Sequence, residues 1–86
     1  MLIKKELIKR EIAGDIILIP TGKTVLDSNG LFALNELGAY IWDILPNVEN
    51  ESDICKAILA EYDSSPEEVA LDVSEFMIRL RNMGII

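Results

Sequence analysis

The apolar positions change their rhythm partway along this chain. Residues 7–13 (LIKREIA) and 16–20 (IILIP) read as two strands joined at Gly14-Asp15. Ile16, Ile17, Leu18 and Ile19 run without a polar interruption, as a well-covered strand would. Pro20 and Gly22 end that run. Residues 24–27 (TVLD) are a candidate continuation of the sheet, and Ser28-Asn29-Gly30 signals a turn into a third strand over residues 31–34. From Asn35 onward the spacing becomes helical, with Leu37, Tyr40, Ile41, Ile44 and Leu45 on one side. Only Asn35 separates the two regimes.

Asn35 is the expected N-cap of the first helix, with Glu36 favourable in its opening turn and Pro46-Asn47 closing it. A second helix is expected to start near Ser52, with Ile54, Ile58, Leu59 and Tyr62 along one face. The third has the clearest start, Ser65-Pro66-Glu67-Glu68: Ser65 suits the cap, Pro66 the first turn, and Glu68 completes a capping box. Gly84 stops it after Met83, and Ile85-Ile86 return to the sheet or core. At about 100° per residue, Val69, Val73, Phe76, Leu80 and Met83 form its core stripe. Ala70, Met77, Ser74 and Arg81 lie on a mixed shoulder beside that stripe. Leu71 and Ile78 fall nearly opposite it; they are either stray exposed residues or a contact surface. Three strands followed by three helices make the fold class α+β, with residues 1–86 as a single domain.

Composition narrows the chemistry. Histidine is absent, which removes the commonest general base and metal ligand. The single cysteine, Cys55, allows no internal disulfide and no thiolate cluster, and its neighbours make it a small core residue. Carboxylate pairs such as Glu67/Glu68 and Asp53/Glu61 follow helix-start and solvent-face logic, with no apolar pocket to raise a pKa. Gly22-Lys23-Thr24 lacks the upstream glycine and the following helix of a phosphate loop. Tyr40 and Trp42 fit core or core-edge packing better than a binding platform. No catalytic constellation, cofactor site or metal site is expected, and the chain reads as a binding protein, not an enzyme. The unpaired cysteine and the highly charged opening residues MLIKKELIKRE point to the cytoplasm, and no apolar run is long enough for a membrane span.

Charge is distributed unevenly. Residues 1–34 hold five Lys/Arg against four Asp/Glu, while residues 35–86 hold three against eleven. The helical part is therefore acidic, which opposes a phosphate backbone and argues against nucleic acid as a partner.

The order REIAGDIILIP (10–20), GLFALNELGAYIWDIL (30–45), EYD (61–63) and DVSEFMIRLRNMGII (72–86) resembles the pyrroloquinoline quinone biosynthesis protein D family, also called the precursor-peptide recognition element. The resemblance runs over nearly the whole chain. Its most distinctive part is Leu34-Asn35-Glu36, then Gly38-Ala39 and Trp42, supported by Asp72-Val73, Phe76, Leu80 and Gly84. It implies a small winged-helix-like fold without catalytic activity that binds the leader segment of a ribosomally made precursor peptide. The leader would be delivered to a modifying enzyme, frequently a radical S-adenosylmethionine enzyme. In the family the leader adds as a strand to the edge of the third strand and lies in a cleft against the third helix. Carried onto this sequence, Leu31, Phe32, Ala33 and Leu34 would supply the strand edge. Ala70, Val73, Ser74, Met77 and Arg81 would line the cleft, with Arg81 available to an acidic leader residue and Val73 equally at home in the core. Two rivals stand beside this reading. One is a docking subunit that stabilises an enzyme without touching peptide, with Leu71 and Ile78 serving that contact or a homodimer. The other is a winged-helix DNA-binding regulator, which the acidic second and third helices disfavour.

Overall fold

The computed structural model describes residues 1–21 and 32–86. The expected strand extension at 24–27, the turn at 28–30, the phosphate-loop fragment at 22–24 and Leu31 lie outside the described residues. Strands β1 (Leu7–Ile12), β2 (Asp15–Pro20) and β3 (Phe32–Leu34) form one antiparallel sheet in the order β1-β2-β3. Helices α1 (Glu36–Ile44), α2 (Glu51–Glu61) and α3 (Pro66–Asn82) follow, with a short 3-10 turn, Leu45–Asn47, ending α1. The α+β architecture read from the sequence is the one observed.

The β1–β2 connection sits one residue earlier than its composition suggested. Ile12 pairs with Asp15, so the two turn residues are Ala13 and Gly14, with φ of 52° and 87°. Both are left-handed, as a type I′ turn requires to match the twist of the flanking strands. Gly14 adopts this without penalty; alanine does not. The register then decides which side chains share a face. Lys9, Leu18 and Phe32 align across the three strands on the core side, while Arg10, Ile17 and Ala33 align on the other. Lys9 extends past the core to Asp43 of α1 at 2.6 Å, an exposed pair that orients more than it stabilises.

Each helix begins on a side-chain cap. Asn35 Oδ1 accepts from the Gly38 N–H at 2.7 Å, and Ser65 Oγ accepts from the Glu68 N–H at 3.2 Å, as expected. The second helix starts at Glu51, next to the expected Ser52, and its cap is Asn50: Asn50 Oδ1 accepts from the Asp53 N–H at 3.0 Å, and Asp53 accepts in return from the Glu49 N–H at 3.1 Å. Asn-x-x-Asp does the work of a capping box here, with both partners unlike the usual Ser/Thr and Glu/Gln. At the other end, α3 closes in a Schellman motif. Gly84 takes φ 71°, its N–H reaches Arg81 O at 3.0 Å, and the Ile85 N–H reaches Leu80 O at 2.9 Å. Ile85 is thereby turned into the core, and its carbonyl accepts from the Lys4 N–H.

The core is built from Leu18, Phe32 and Leu34 of the sheet, Ala39, Ile41 and Trp42 of α1, Leu45, Ile54 and Ile58, and Val69, Val73, Phe76, Met77 and Leu80 of α3. Three positions differ from the helical-wheel reading. Met77 is fully buried instead of lying on a shoulder, Met83 is 40% exposed instead of core, and Leu59 is 37% exposed. Helix α2 packs against α3 and covers the Met77 side, which rotates the buried arc in that direction. Met83 is the C-cap residue and no longer follows the helical phase. Leu59 lies beyond the Ile54–Ile58 line through which α2 meets the core. Among the described residues no helix is long and apolar enough to cross a membrane.

Relief of the left-handed alanine makes the first prediction. Ala13→Asn should stabilise the fold by about 0.5–1 kcal/mol, raising Tm by several degrees in a domain of this size. An unchanged or lower Tm in thermal denaturation would contradict the turn assignment.

Candidate functional site

Strand β3 is the edge of the sheet, and its outer side pairs with no strand among the described residues. Beside it runs α3, and between the two lies a groove in two sections. The section near Leu34 is a cavity of about 170 Å³ with a floor of Leu34, Leu37, Gly38, Ile41 and Phe76, rimmed by Asp72, Glu75 and Arg79. The section near Phe32 is a shallower cavity of about 330 Å³ between Phe32, Ala33, Arg79, Asn82 and Met83. Arg79 belongs to both. Its guanidinium carbon lies 4.5 Å from the centroid of the Phe32 ring, and Phe32 meets Phe76 edge to face at 6.1 Å. The divider between the two sections is therefore a cation held over an aromatic ring.

Gly38 sets the width of the first section. A Cβ at this position would stand 3.2 Å from Asn35 Oδ1, 3.3 Å from Phe76 Cε1 and 3.4 Å from Leu34 Cδ2. Strand end, helix cap and α3 thus converge on one hydrogen atom's worth of space. A free exposed edge with an apolar-floored groove alongside is suited to an extended peptide: main-chain groups pair with the strand while alternate side chains enter the groove.

A family model described as "Coenzyme PQQ synthesis protein D (PqqD)" matches residues 20–86, which include β3, the three helices and every residue of the groove. The chain belongs to the PqqD family. A solved structure described as "TbiB1 in Complex with the TbiA(beta) Leader Peptide" resembles this PqqD-family chain with a TM-score of 0.74 and 26% identity, covering 99% of this chain and 93% of that one. A comparison with curated proteins finds no match.

The residues expected from the sequence divide into three groups. Phe32, Ala33 and Leu34 are on the groove-side strand, with Phe32 and Leu34 facing the core and Ala33 exposed; Leu31 is outside the described residues. Val73 and Met77 are buried to 1% and 0% exposure inside the core and present no surface to the groove. Ala70, Ser74 and Arg81 are exposed on the opposite shoulder of α3, and Arg81 approaches Glu51 of α2 at 3.4 Å. The helix face that borders the groove carries Asp72, Glu75, Arg79, Asn82 and Met83 instead. Both shoulders flank the core stripe at similar angles, and the wheel alone does not say which of them faces β3. The pairing of α2 with α3 decides it, and that is a tertiary fact. A usable hint was the carboxylate-to-arginine series at positions 72, 75 and 79, one continuous ridge at helical spacing.

Cys55 and Tyr40 lie away from the groove. Cys55 packs on the edge of the core, and burial chiefly, reinforced by the Glu51 carboxylate, pushes its thiol pKa up against the opposing effect of a backbone hydrogen bond. Tyr40 packs edge to face on Tyr62 at 5.5 Å and donates to Ala57 O at 3.3 Å. Among the described residues no His/Cys/Asp/Glu group could hold a metal ion.

Two outcomes follow from these contacts. Gly→Ala inside a helix ordinarily stabilises by about 1 kcal/mol. Gly38→Ala should instead lower stability, because the cap and Phe76 hold the neighbouring atoms in place; a raised Tm would refute the close approach. A raised thiol pKa leaves little thiolate at neutral pH. Alkylation of Cys55 by iodoacetamide at pH 7.5 should therefore run several-fold slower than that of an unstructured cysteine peptide, and a faster reaction would contradict the burial described.

Proposed function

We propose that this protein binds the leader segment of a ribosomally made precursor peptide as an added strand on β3 and presents it to the enzyme that modifies it. It performs no chemistry of its own; residues 1–86 act as one recognition unit in the cytoplasm, where the precursor is made. The partner enzyme is of the radical S-adenosylmethionine class that the family resemblance implies. The observation that carries the reading is the open β3 edge beside an apolar-floored groove, in a PqqD-family chain that matches a leader-bound structure over nearly its full length.

Magnitudes say where affinity must come from. Three edge residues offer about three main-chain hydrogen bonds, each worth about 1 kcal/mol net. Micromolar binding needs about 8 kcal/mol. The strand edge alone falls short, so leader side chains must be buried in the groove, at about 1.5–3 kcal/mol for each well-covered apolar residue. In this reading the edge fixes orientation and register while Phe76, Leu37 and Met83 discriminate between sequences. Leu71 and Ile78, 65% and 50% exposed on the far side of α3, remain available to the enzyme or to a second copy while the groove is occupied.

Strand addition has a periodic signature. Peptides encoded by short reading frames beside the gene are tested for binding by calorimetry, and the one that binds is N-methylated one residue at a time. Methylation at alternate residues, whose N–H groups face β3, should weaken binding tenfold or more, and the residues between them should tolerate it. Loss without a two-residue period would refute strand addition. Binding of the neighbouring enzyme with no binding of any peptide would favour a docking subunit.

A further inference from the structure

The groove is not electrically uniform. At the Leu34 end the rim is formed by Asp72 and Glu75, with Arg79 at the boundary to the second section. Both carboxylates are exposed, and neither has a hydrogen bond or ion pair with any of the described residues. At the Phe32 end the rim is Arg79 and Asn82. Lys5 adds a second positive charge there, since its Nζ donates to Met83 O at 2.8 Å. Arg79 lies over the Phe32 ring and pairs with no carboxylate among the described residues, so its guanidinium is available to a carboxylate of a ligand. Two unpaired anions at the Leu34 end thus give way to Arg79 at the divider and Lys5 beyond it, along a groove lined in part by apolar side chains.

We propose that this charge polarity is a specificity device: the groove selects an extended peptide carrying a Lys or Arg beside the Leu34 section and an Asp or Glu beside the Phe32 section, with apolar side chains seated in the two cavities. The inference rests on the peptide-binding reading given above and adds to it the chemistry of the ligand. The spacing follows from geometry. Asp72 and Arg79 are seven residues apart on α3, about 10 Å along its axis, which an extended peptide covers in about three residues. Direction follows from the sheet, which is antiparallel throughout. A fourth strand continuing that pattern places its N-terminal end at Leu34, so the cationic residue precedes the anionic one. The same polarity rejects peptides of reversed charge order by setting like charges against each other at both ends.

The test is selection of a phage-displayed library of random twelve-residue peptides on four forms of the intact protein. These are the wild type, the double variant Asp72→Lys/Glu75→Lys, the neutral double variant Asp72→Asn/Glu75→Gln, and a control, Glu61→Lys/Asp63→Lys, that changes net charge equally but outside the groove. All four positions are exposed, and circular dichroism verifies that each variant is folded. Wild type and control should enrich Lys/Arg about three residues before Asp/Glu around apolar residues. A synthetic peptide of that pattern should bind wild type about tenfold more tightly than its charge-reversed counterpart, and the difference should shrink to near unity in 1 M salt, where the Debye length is about 3 Å. The neutral variant should lose the cationic preference and the Lys variant should invert it. Apolar enrichment with no charge bias, with the reversed order, or with a bias that the groove variants leave intact would overturn the inference while leaving peptide binding in place. Failure to enrich any peptide on wild type would overturn both.

Discussion

Between Leu34, the last residue of β3, and Glu36, the first of α1, the chain has a single residue in which to turn from strand to helix. Asn35 accomplishes this by holding extended backbone and lending Oδ1 to the Gly38 N–H at 2.7 Å. The bond does more than satisfy one helix-end donor. It fixes the start of α1 against the end of β3, and the missing Cβ of Gly38 lets Phe76 of α3 approach the same point. Strand edge, first helix and third helix are therefore held in a fixed relation at one corner, and the groove is the space left between them. A lost cap costs about 1 kcal/mol in general; here it would also free the wall against which a peptide strand has to register.

That corner explains how a domain of 86 residues keeps a hydrophobic groove open beside its core. The core stripe of α3 is closed on one side by α2, whereas β3, three residues long, leaves the other side uncovered among the described residues. Phe32 and Phe76 belong to the core and to the groove floor at once, so the recognition surface is an extension of the packing that stabilises the fold. Side chains held by core packing need little ordering on binding, which favours affinity from few contacts. Its polar rim, mounted on one face of a long helix, can vary without disturbing the floor. In the proposed reading, stability and selectivity are thereby carried by different residues of the same helix.

Local signals were legible in the sequence wherever a short-range physical cause determines the structure. Asn35 and Ser65 were recognisable as caps because a side-chain acceptor three residues before an N–H is a local arrangement. Gly84 was recognisable as a stop because only glycine takes the left-handed conformation freely. The Asn50 cap does not stand out in the sequence, because Ser52, two residues on, is an equally good cap residue and Asp53 is an uncommon closing partner. Ala13 was passed over because alanine is not a residue expected at φ 52°. The groove was only half legible. Phe32, Ala33 and Leu34 followed from their place in the third strand, but the helix face did not. Ala70, Ser74 and Arg81 and the series from Asp72 to Met83 are equivalent on a wheel, and only the docking of α2 distinguishes them. Met77 shows the same limit, a residue whose burial depends on a neighbour distant in sequence.

The claim at the centre of this account is that a peptide lies between β3 and the Asp72–Glu75–Arg79 face of α3. Chemical-shift mapping on ¹⁵N-labelled protein, titrated with a leader peptide that binds, tests it most directly. The account predicts saturable shifts at residues 32–34 and at 72, 75, 76, 79, 82 and 83, with 70, 74 and 81 little affected. Shifts centred on 70, 74 and 81, or shifts that spare β3, would contradict it.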